Sequence, residues 1–356
     1  MLRALPHRPV SSLSKRFFCS LSMYNQRCLV VSSAGEVLYI SRIDIEKLGI
    51  PMSEVLEAVE EAFHERADGK AEMPPKPGIH LGKDSFIHAM PAYLPRVKTA
   101  GVKWVSGFPE NPKQGLPYIS GLLILNDVAT GFLLCIMDCA WVTAKRTGAA
   151  TAIAAKHLAR KDSETLGILG CGMQGRSNLE ALAIVCKDLK EVKAYDVSGE
   201  NLQRYVEEMT VEHGLKIVAV DSPRKAVEDC DVVVTSGPIL KHPQPVIEDT
   251  WLKNGGFACP LDFDSYWKPD AMLSVDKFCT DDLDQLAYYR SQGYFLSIPP
   301  IYAELSEIIS NKKPGRETSG ERIMSMNLGL AIEDMAAARL VYEKAKERRV
   351  GTRLSS

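Results

Sequence analysis

Apolar residues first recur with helical spacing in the segment SEVLEAVEEAFHERADG, which begins at Ser53. Val55, Val59 and Phe63 are four residues apart, so a helix would carry all three on one face. Gly69 is predicted to mark the end of this helix, because glycine is favoured immediately after a helix. The pattern therefore predicts an amphipathic helix that opens a first domain.

Short apolar runs follow a proline-rich stretch, EMPPKPGIH, and they have the composition of β-strands. The runs are FIHAM, GVKWVSGF, YISGLLILND and GFLLCIMD, and together they predict a sheet built from hairpins. Residues 139–159 come next, with the sequence CAWVTAKRTGAATAIAAKHLA. Because this segment is rich in alanine and lacks proline, it predicts a long, closely packed helix, which we expect to connect two domains.

From residue 165 the pattern alternates between strand and helix. Apolar strand runs such as TLGILG, EVKAYD, LKIVAV and DVVVTSG are separated by helical runs such as MQGRSNLEALAIV and ENLQRYVEEMTVEHG. Alternation at this spacing predicts a parallel, doubly wound sheet of the Rossmann type. One more helical pattern, RIMSMNLGLAIEDMAAARLVYEKAKE, lies within residues 318–347 and is too apolar to stand alone. It is predicted to return to the first domain.

The first 26 residues differ in composition from the rest of the chain. They contain four basic residues, five serines and no acidic residue, since the first acid is Glu36. This composition is typical of a mitochondrial transit peptide, although Pro6 and Pro9 interrupt the helical pattern that such a peptide also needs. The alternative is a disordered tail upstream of an internal start at Met23. A mitochondrial and a cytoplasmic location therefore both stay open.

The overall composition argues against several classes of protein. With 356 residues, 46% of them hydrophobic and 25% charged, the chain has the size and composition of about two globular domains. A formal net charge of −2 and the lack of a long Lys/Arg run argue against a nucleic acid partner. No apolar stretch approaches the roughly 18 residues of a membrane span. Since the histidines and cysteines show no ligand spacing, no metal site is expected.

The motif GCGMQG lies between the strand run TLGIL and a helical run, which is the context of a dinucleotide-binding loop. In such a loop Gly170 permits a tight turn, Gly172 lets the pyrophosphate approach the backbone, and Gly175 lets the helix pack on the strand. The helix N-terminus faces the phosphate charge. Met173 and Gln174, which lie between the second and third glycines, are expected to contact the cofactor as well.

An acidic residue ends the second strand of this unit, in KAYDVS. Asp196 is placed to accept hydrogen bonds from the adenosine ribose hydroxyls, and a ribose phosphate would meet a like charge there. Val197 and Ser198 add no cation, so NAD(H) is predicted in preference to NADP(H). Thr235 and Ser236 end another strand of the same sheet and are expected to face the cofactor, because dinucleotides lie across the carboxyl ends of the strands.

Several motifs together resemble the ornithine cyclodeaminase/μ-crystallin family, over about residues 40–342. They are AMPAYL, GVKW, GLPYISGLLILND, MDCAWVTAKRTGAATA, ILGCGMQG and MNLGLAIED. The resemblance implies an α/β fold in which a Rossmann domain is inserted into an α+β substrate-binding and dimerisation domain, and it implies a homodimer. On the boundaries that the patterns give, residues 146–317 form the Rossmann domain, and residues 27–145 and 318–356 form the other.

The resemblance also implies roles for two basic residues. Lys103 in GVKW corresponds to the active-site lysine of the family, and Arg146 in AKRT to an arginine near the cofactor phosphate and the substrate. A lysine within an apolar strand run is costly to bury without an anionic partner, which a substrate carboxylate would supply. The alternatives are an outward-facing Lys103 and an Arg146 that is solvated on the surface of its helix.

The chain departs from the cyclodeaminases of this family at other site positions. Where they have an arginine that binds the substrate carboxylate, the nearest basic residue is Lys76 in PPKPG, which cannot form a bidentate pair. Where they have a glutamate, His88 stands as a general acid or as a core residue. The family's catalytic aspartate corresponds to Asp262 or Asp264 in GGFACPLDFD, and Asp262 is favoured. Because alternate residues of an extended segment point opposite ways, one of the two should face the nicotinamide.

These observations predict an NAD(H)-dependent oxidoreductase that transfers a hydride between nicotinamide and the α-carbon of an imino or amino acid. Lys103 and Lys76 would hold the substrate carboxylate, and an aspartate would move the proton on nitrogen. Since the family includes imino-acid reductases, alanine dehydrogenases and cyclodeaminases, the alternative is an ornithine cyclodeaminase, a lyase that forms proline and ammonia. A non-catalytic dinucleotide-binding or small-molecule-binding protein is a third hypothesis, which the presence of Lys103, Arg146 and an acid disfavours.

Overall fold

Two β-sheets organise the protein. The computed structural model describes residues 35–82 and 84–355. The tail predicted over residues 1–26, and with it the prediction of mitochondrial import, lies outside the described residues. Within the described ranges, no helix combines the length and the hydropathy that a membrane span requires.

The strands alternate with the helices through most of the described chain. In sequence order the strands are β1 (Glu36–Ile40), β2 (Gly78–His80), β3 (Phe86–Leu94), β4 (Thr99–Gly107), β5 (Ile119–Asn126), β6 (Leu133–Asp138), β7 (Thr165–Leu169), β8 (Glu191–Tyr195), β9 (Lys216–Ala219), β10 (Val232–Thr235), β11 (Phe257–Pro260), β12 (Lys277–Thr280), β13 (Ala303–Glu304), β14 (Ile323–Met326) and β15 (Thr352–Ser355). The helices are α1 (Arg42–Lys47), α2 (Met52–Ala67), α3 (Ala140–Leu158), α4 (Met173–Val185), α5 (Gly199–His213), α6 (Pro223–Val227), α7 (Pro269–Leu273), α8 (Leu283–Ser291), α9 (Leu305–Ile309) and α10 (Ala331–Arg348).

The first sheet has seven strands in the order β15-β1-β6-β5-β4-β3-β2. Strands β2 to β6 pair antiparallel with their sequence neighbours, which confirms the predicted hairpins. Strand β1 pairs parallel with β6 and antiparallel with β15, so the described chain begins and ends in this sheet. Helix α2 confirms the first predicted helix, and its residues Val55, Val59 and Phe63 are fully buried.

The second sheet has eight parallel strands in the order β13-β12-β14-β11-β10-β7-β8-β9. This arrangement confirms the predicted parallel, doubly wound sheet. From β7 the sheet extends through β8 to β9 at one edge, and from β10 it extends through β11, β14 and β12 to β13 at the other edge. The carboxyl ends of β7 and β10 therefore meet at the switch point, where this class of sheet binds its ligands.

The segment after residue 318 differs from the continuous helix that the sequence predicts. Ile323–Met326 forms β14, which pairs with β11 and β12 inside the parallel sheet, and α10 begins only at Ala331. Gly329 has a φ of +77°, which interrupts the helix before that point. All four residues of β14 are buried, and a strand that is covered on both faces has no alternating pattern to reveal it. Part of the region assigned to the first domain thus belongs to the second sheet.

Helix α3 confirms the predicted long helix and packs closely against α4. A Cβ atom at Gly148 would lie 2.4 Å from the carbonyl oxygen of Ser177, so this contact needs a glycine. Most of the alanines of α3 are buried, which allows α2, α4 and α10 to approach the same helix. As a result, α3 connects the first sheet, which it follows at β6, to the second sheet, which begins at β7.

Candidate active site

The glycine loop between β7 and α4 has the geometry of a dinucleotide cradle. Gly170 has a φ of +101°, which favours glycine, and a Cβ atom at Gly175 would lie 2.2 Å from the carbonyl oxygen of Gly170. Gly172 is the N-cap residue of α4, and a Cβ atom there would meet no described atom within 4 Å apart from its chain neighbours. The loop is therefore tightly closed on the protein side and open where a pyrophosphate would approach the helix N-terminus.

Asp196 follows β8 directly beside this loop. Its carboxylate accepts hydrogen bonds from the backbone N–H of Cys171 at 2.7 Å and of Ser198 at 2.8 Å. The next residue, Val197, is uncharged and 85% exposed. A carboxylate in this position suits the two hydroxyls of an unphosphorylated ribose, and the residues present therefore fit NAD(H).

Of the other predicted cofactor contacts, three adjoin the loop, Thr235 is buried elsewhere, and Arg146 lies in the cleft described below. Met173 is 44% exposed at the start of α4, and Gln174 lines the cleft described below. The Ser236 hydroxyl donates to the carbonyl oxygens of Leu169 and Gly170, at 3.2 and 2.9 Å. Thr235 is fully buried and donates to Asp262 at 2.8 Å, so its side chain belongs to the interior of the domain.

The glycine geometry predicts different effects for two alanine substitutions. Gly172→Ala should fold normally and weaken NADH binding about tenfold or more, because the new methyl group would occupy the approach of the pyrophosphate. Gly175→Ala should instead lower the free energy of unfolding by about 1–3 kcal/mol, because its methyl group would meet backbone. Calorimetric NADH titration and thermal melting separate the two effects. Gly199→Ala, at another open glycine position, is the matched control and should change neither quantity.

A cleft between the two sheets begins next to the glycine loop and encloses about 860 Å³ of empty space, part of it open to solvent. It gathers residues from β3, β4, α3, α4 and the loop after β14. The predicted site residues that line it are Lys76, His88, Lys103, Arg146 and Gln174. The structure thus brings Lys76, Lys103 and Arg146 into one cleft beside the glycine loop.

Lys103 lies at the centre of a buried ion-pair network. Its Nζ atom is 2.6 Å from Oδ1 of Asp334 and 3.4 Å from Oγ1 of Thr143. The same Asp334 oxygen accepts from Nε of Arg146 at 3.0 Å, and Arg146 also donates to Glu333 at 2.8 Å. Since Lys103 is 1% exposed and Arg146 6% exposed, neither is solvated on a surface. Burial lowers the pKa of Lys103, which makes its ammonium a stronger proton donor.

Glu333 and Asp334 complete this network, and neither residue was predicted from the sequence. They occupy the first turn of α10, in the motif MNLGLAIED, where acids are favoured by the helix dipole. Both are fully buried, and Oε1 of Glu333 and Oδ2 of Asp334 have no hydrogen-bond partner among the described residues. Burial raises the pKa of Glu333. The one available signal was an adjacent pair of acids beside an apolar run.

Lys76 differs from the other two cations because its direct contacts are neutral. Its Nζ atom donates to the carbonyl oxygens of Leu328 and Gly329 at 2.7 and 3.0 Å, and it lies 5.3 Å from the centroid of the Tyr289 ring. Burial, together with the nearby charge of Arg146, lowers the pKa of Lys76 to about 7. An anion in the cleft would stabilise the charged form, so Lys76 is suited to bind a carboxylate.

His88 lies against an aromatic ring rather than beside a charged group. Its ring stacks on Phe86 with centroids 4.3 Å apart and an interplanar angle of 19°. Burial lowers the pKa of His88 to about 3, so the imidazole is neutral near pH 7. A neutral imidazole carries no proton to spare for a general acid at that pH.

Neither of the two candidate aspartates lines the described part of this cleft. Asp262 is fully buried and accepts from Thr235 at 2.8 Å and from the backbone N–H of Gly237 at 3.1 Å. Burial raises the pKa of Asp262 to about 7. Asp264 accepts from the backbone N–H of Phe295 at 2.9 Å. It is Leu261 and Phe263, the residues on either side of Asp262, that line the cleft.

The family model of the ornithine cyclodeaminase/mu-crystallin family matches residues 37–349 of this chain. The chain belongs to that family. This confirms the resemblance on which the expected fold was based. The match covers the second sheet and the first sheet without β15, and it includes the glycine loop, Lys103, Arg146 and the two acids of α10.

Relatives within the family are similar over almost their whole length. The alanine dehydrogenase of Archaeoglobus fulgidus is 38% identical over 327 residues, which are 90% of this chain and 98% of the relative. The structure of Thermococcus litoralis Δ1-pyrroline-2-carboxylate reductase in complex with NADH and L-proline has a TM-score of 0.81 at 36% identity, covering 89% of this chain and 99% of that one. An archaeal alanine dehydrogenase dimer with bound NAD has a TM-score of 0.80 at 37% identity, covering 90% and 99%.

Proposed function

We propose that this protein is an NAD(H)-dependent oxidoreductase that interconverts an imino acid and an amino acid. The observation that carries the proposal is the position of Lys76, Lys103 and Arg146 in one cleft that also reaches the dinucleotide loop through Gln174. Two relatives with at least 36% identity support it, since one solved structure holds NADH with L-proline and another holds NAD. NAD(H), when bound, supplies or accepts the hydride.

The residues of the cleft divide the remaining work. Lys76, whose direct contacts are neutral, binds the substrate carboxylate. Lys103 lies beside it with a pKa lowered by burial and provides the proton for the substrate nitrogen. Asp334 holds Lys103 in position at 2.6 Å, and Arg146 holds Asp334. The pair formed by Lys103 and Asp334 thus takes the part that the sequence assigned to an aspartate after β11.

The role of Lys76 predicts a dependence of carboxylate binding on pH. Because burial lowers the pKa of Lys76 to about 7, the free side chain loses its charge above that pH and must take up a proton when an anion binds. The Kd for pyruvate, measured by calorimetry with NAD present, should therefore rise about tenfold per pH unit above neutrality and stay flat below it. Lys76→Arg should flatten the profile, since a guanidinium stays charged. A profile that is the same in both proteins would contradict this role.

The proposed function is tested by a substrate panel. Purified protein is incubated with NADH and either cyclic imino acids or keto acids mixed with ammonia or methylamine, and the absorbance of NADH is followed. We expect oxidation of NADH with at least one member of the panel and formation of the matching amino acid. Tight NADH binding without product from any member would favour a binding protein instead.

We also propose that the protein forms a homodimer through the outer face of the first sheet. Trp104 and Leu122 are paired across β4 and β5, and they are 46% and 42% exposed. Large apolar side chains that adjoin each other on a sheet surface are typical of protein interfaces. The archaeal alanine dehydrogenase of similar structure is a dimer. Light scattering should give twice the monomer mass, and Leu122→Lys should reduce it to one.

A further inference from the structure

Beyond the cations, the cleft continues into a second compartment, and half of its described lining residues carry rings. Phe86, His88, Ile239, Phe263 and Tyr289 line both compartments, so four rings and one aliphatic side chain form the passage between them. The network of Lys103 and its carboxylates lies on one side of this passage only. A substrate whose carboxylate is bound by Lys76 would therefore place its side chain among these rings.

Two glycines leave room for the rings of Phe86 and His88. A Cβ atom at Gly107 would lie 2.4 Å from the ring of Phe86, and one at Gly78 would lie 2.4 Å from the ring of His88. Strands β2 and β4, which flank β3, thus have a glycine at the position that the ring of the paired β3 residue covers. Because His88 is also neutral near pH 7, this part of the wall carries no charge.

Phe263 completes the wall at a cost in backbone strain. Its φ is +59°, a left-handed conformation that a bulky residue rarely adopts, and its side chain is 2% exposed. The ring contacts those of Tyr289, Phe295 and Tyr294, with centroids 4.8, 4.9 and 5.5 Å away. Strained residues persist where the surrounding packing holds them, and they are concentrated at binding sites.

The charged groups of the outer compartment are already engaged with the protein. Nζ of Lys241 donates to the carbonyl oxygen of Gln292 and lies 4.3 Å from the centroid of the Tyr294 ring. Oδ1 of Asp84 accepts from the backbone N–H of Lys241 at 2.8 Å. A substrate side chain that enters from the cations would meet the neutral rings before it reached either group.

We infer that the ring-lined compartment binds the substrate side chain and selects imino acids with an aromatic side chain. The inference rests on the proposed function, since it takes the carboxylate to be bound by Lys76. A planar aromatic group can pack against the stacked pair of Phe86 and His88 and against Phe263 and Tyr289, with ring-to-ring contacts that an aliphatic chain cannot make. The carboxylate of Asp84 lines only the outer compartment, so the ammonium of a diamino acid would leave water among neutral rings before it reached that carboxylate.

The test compares two imines that differ only in the side chain. Phenylpyruvate and pyruvate are each mixed with methylamine, and kcat/KM for NADH oxidation is measured with both. The unmodified protein should prefer the phenylpyruvate imine by about tenfold or more. Phe86→Ala should remove most of that preference while the pyruvate imine is still reduced. Phe132→Ala removes a ring that is 70% exposed and outside both compartments, so it should leave both values unchanged.

A binding measurement separates failure of this inference from failure of the proposed function. Calorimetry with NAD present gives the Kd of phenylpyruvate and of pyruvate for the same three proteins. NADH oxidation with equal kcat/KM for the two imines would overturn the aromatic selectivity and leave the proposed function standing. Absent turnover, combined with tighter phenylpyruvate binding that Phe86→Ala abolishes, would support the compartment and contradict the proposed function. Absent turnover with equal binding would overturn both.

Discussion

Replacing Lys103 by methionine is expected to lower kcat/KM for imine reduction about a thousandfold, with NADH binding nearly unchanged. The side chain is 1% exposed and its Nζ atom contacts Asp334 and Thr143 inside the cleft, away from the glycine loop. Methionine has a similar length but cannot carry the proton for the substrate nitrogen. Steady-state kinetics and NADH titration of the same preparation measure the two effects separately.

The control for this variant is Lys156→Met. Lys156 lies on α3 in a half-exposed ion pair with Glu60, and a pair of this kind contributes about 1 kcal/mol or less to stability. Its loss should leave both the kinetics and the NADH affinity as they are. If Lys103→Met weakens NADH binding as much as it slows turnover, Lys103 belongs to the cofactor site and its assignment to the substrate is wrong.

The second large effect is expected for Asp334→Asn. This substitution keeps the shape of the residue but removes the charge that both Lys103 and Arg146 contact. Leaving the buried Lys103 without a carboxylate, and Arg146 with Glu333 alone, should lower the free energy of unfolding by about 3 kcal/mol or more. Because Lys103 would also lose its anchor, kcat should fall about a hundredfold. Chemical denaturation and kinetics at a temperature well below the melting transition measure the two quantities.

Glu343→Gln provides the comparison on the same helix. Glu343 forms an ion pair with Arg339 on the partly exposed side of α10, and its side chain is 45% exposed. Its loss should change the stability by about 0.5 kcal/mol or less. An Asp334→Asn protein that unfolds and turns over like the Glu343→Gln protein would show that the buried network is not required for either property.

The fold could be predicted from the sequence where apolar residues recur with a regular period. It could not be predicted where a segment is buried on every side, because such a segment has no alternating pattern. The four-residue spacing of Val55, Val59 and Phe63 and the alternation of strands and helices after residue 165 both correspond to observed elements. Strand β14 was missed because IMSM is buried on every side, and a short apolar run does not distinguish a strand from a helix. The pairing of β1 with β15 joins segments more than 300 residues apart, which no local pattern contains.

The candidate site likewise has parts that could be predicted from the sequence and parts that could not. The glycine loop could be predicted because its function depends on neighbouring residues and on backbone conformation alone. Asp334 contacts Lys103 only because the fold brings together two residues that are 231 positions apart in the sequence. The prediction for Asp262 rests on the family resemblance and stays a prediction, whereas its contacts with Thr235 and the backbone N–H of Gly237 join residues 27 and 25 positions apart. Contacts of this kind become visible only in three dimensions.

Incubation with ornithine distinguishes most directly between a reductase and a cyclodeaminase. Lys76 cannot bind a carboxylate through two parallel hydrogen bonds as an arginine can, and the family resemblance places the neutral His88 where cyclodeaminases have a glutamate. Holding ornithine while its terminal amine attacks the α-imine should therefore fail, whereas delivery of one hydride to a preformed imine should not. The protein is incubated with an imino acid and NADH, and separately with ornithine and catalytic NAD, and proline, ammonia and NADH are quantified. We predict one NADH consumed for each amino acid formed and little or no proline from ornithine. Rapid formation of proline and ammonia from ornithine without net change in NADH would contradict the account.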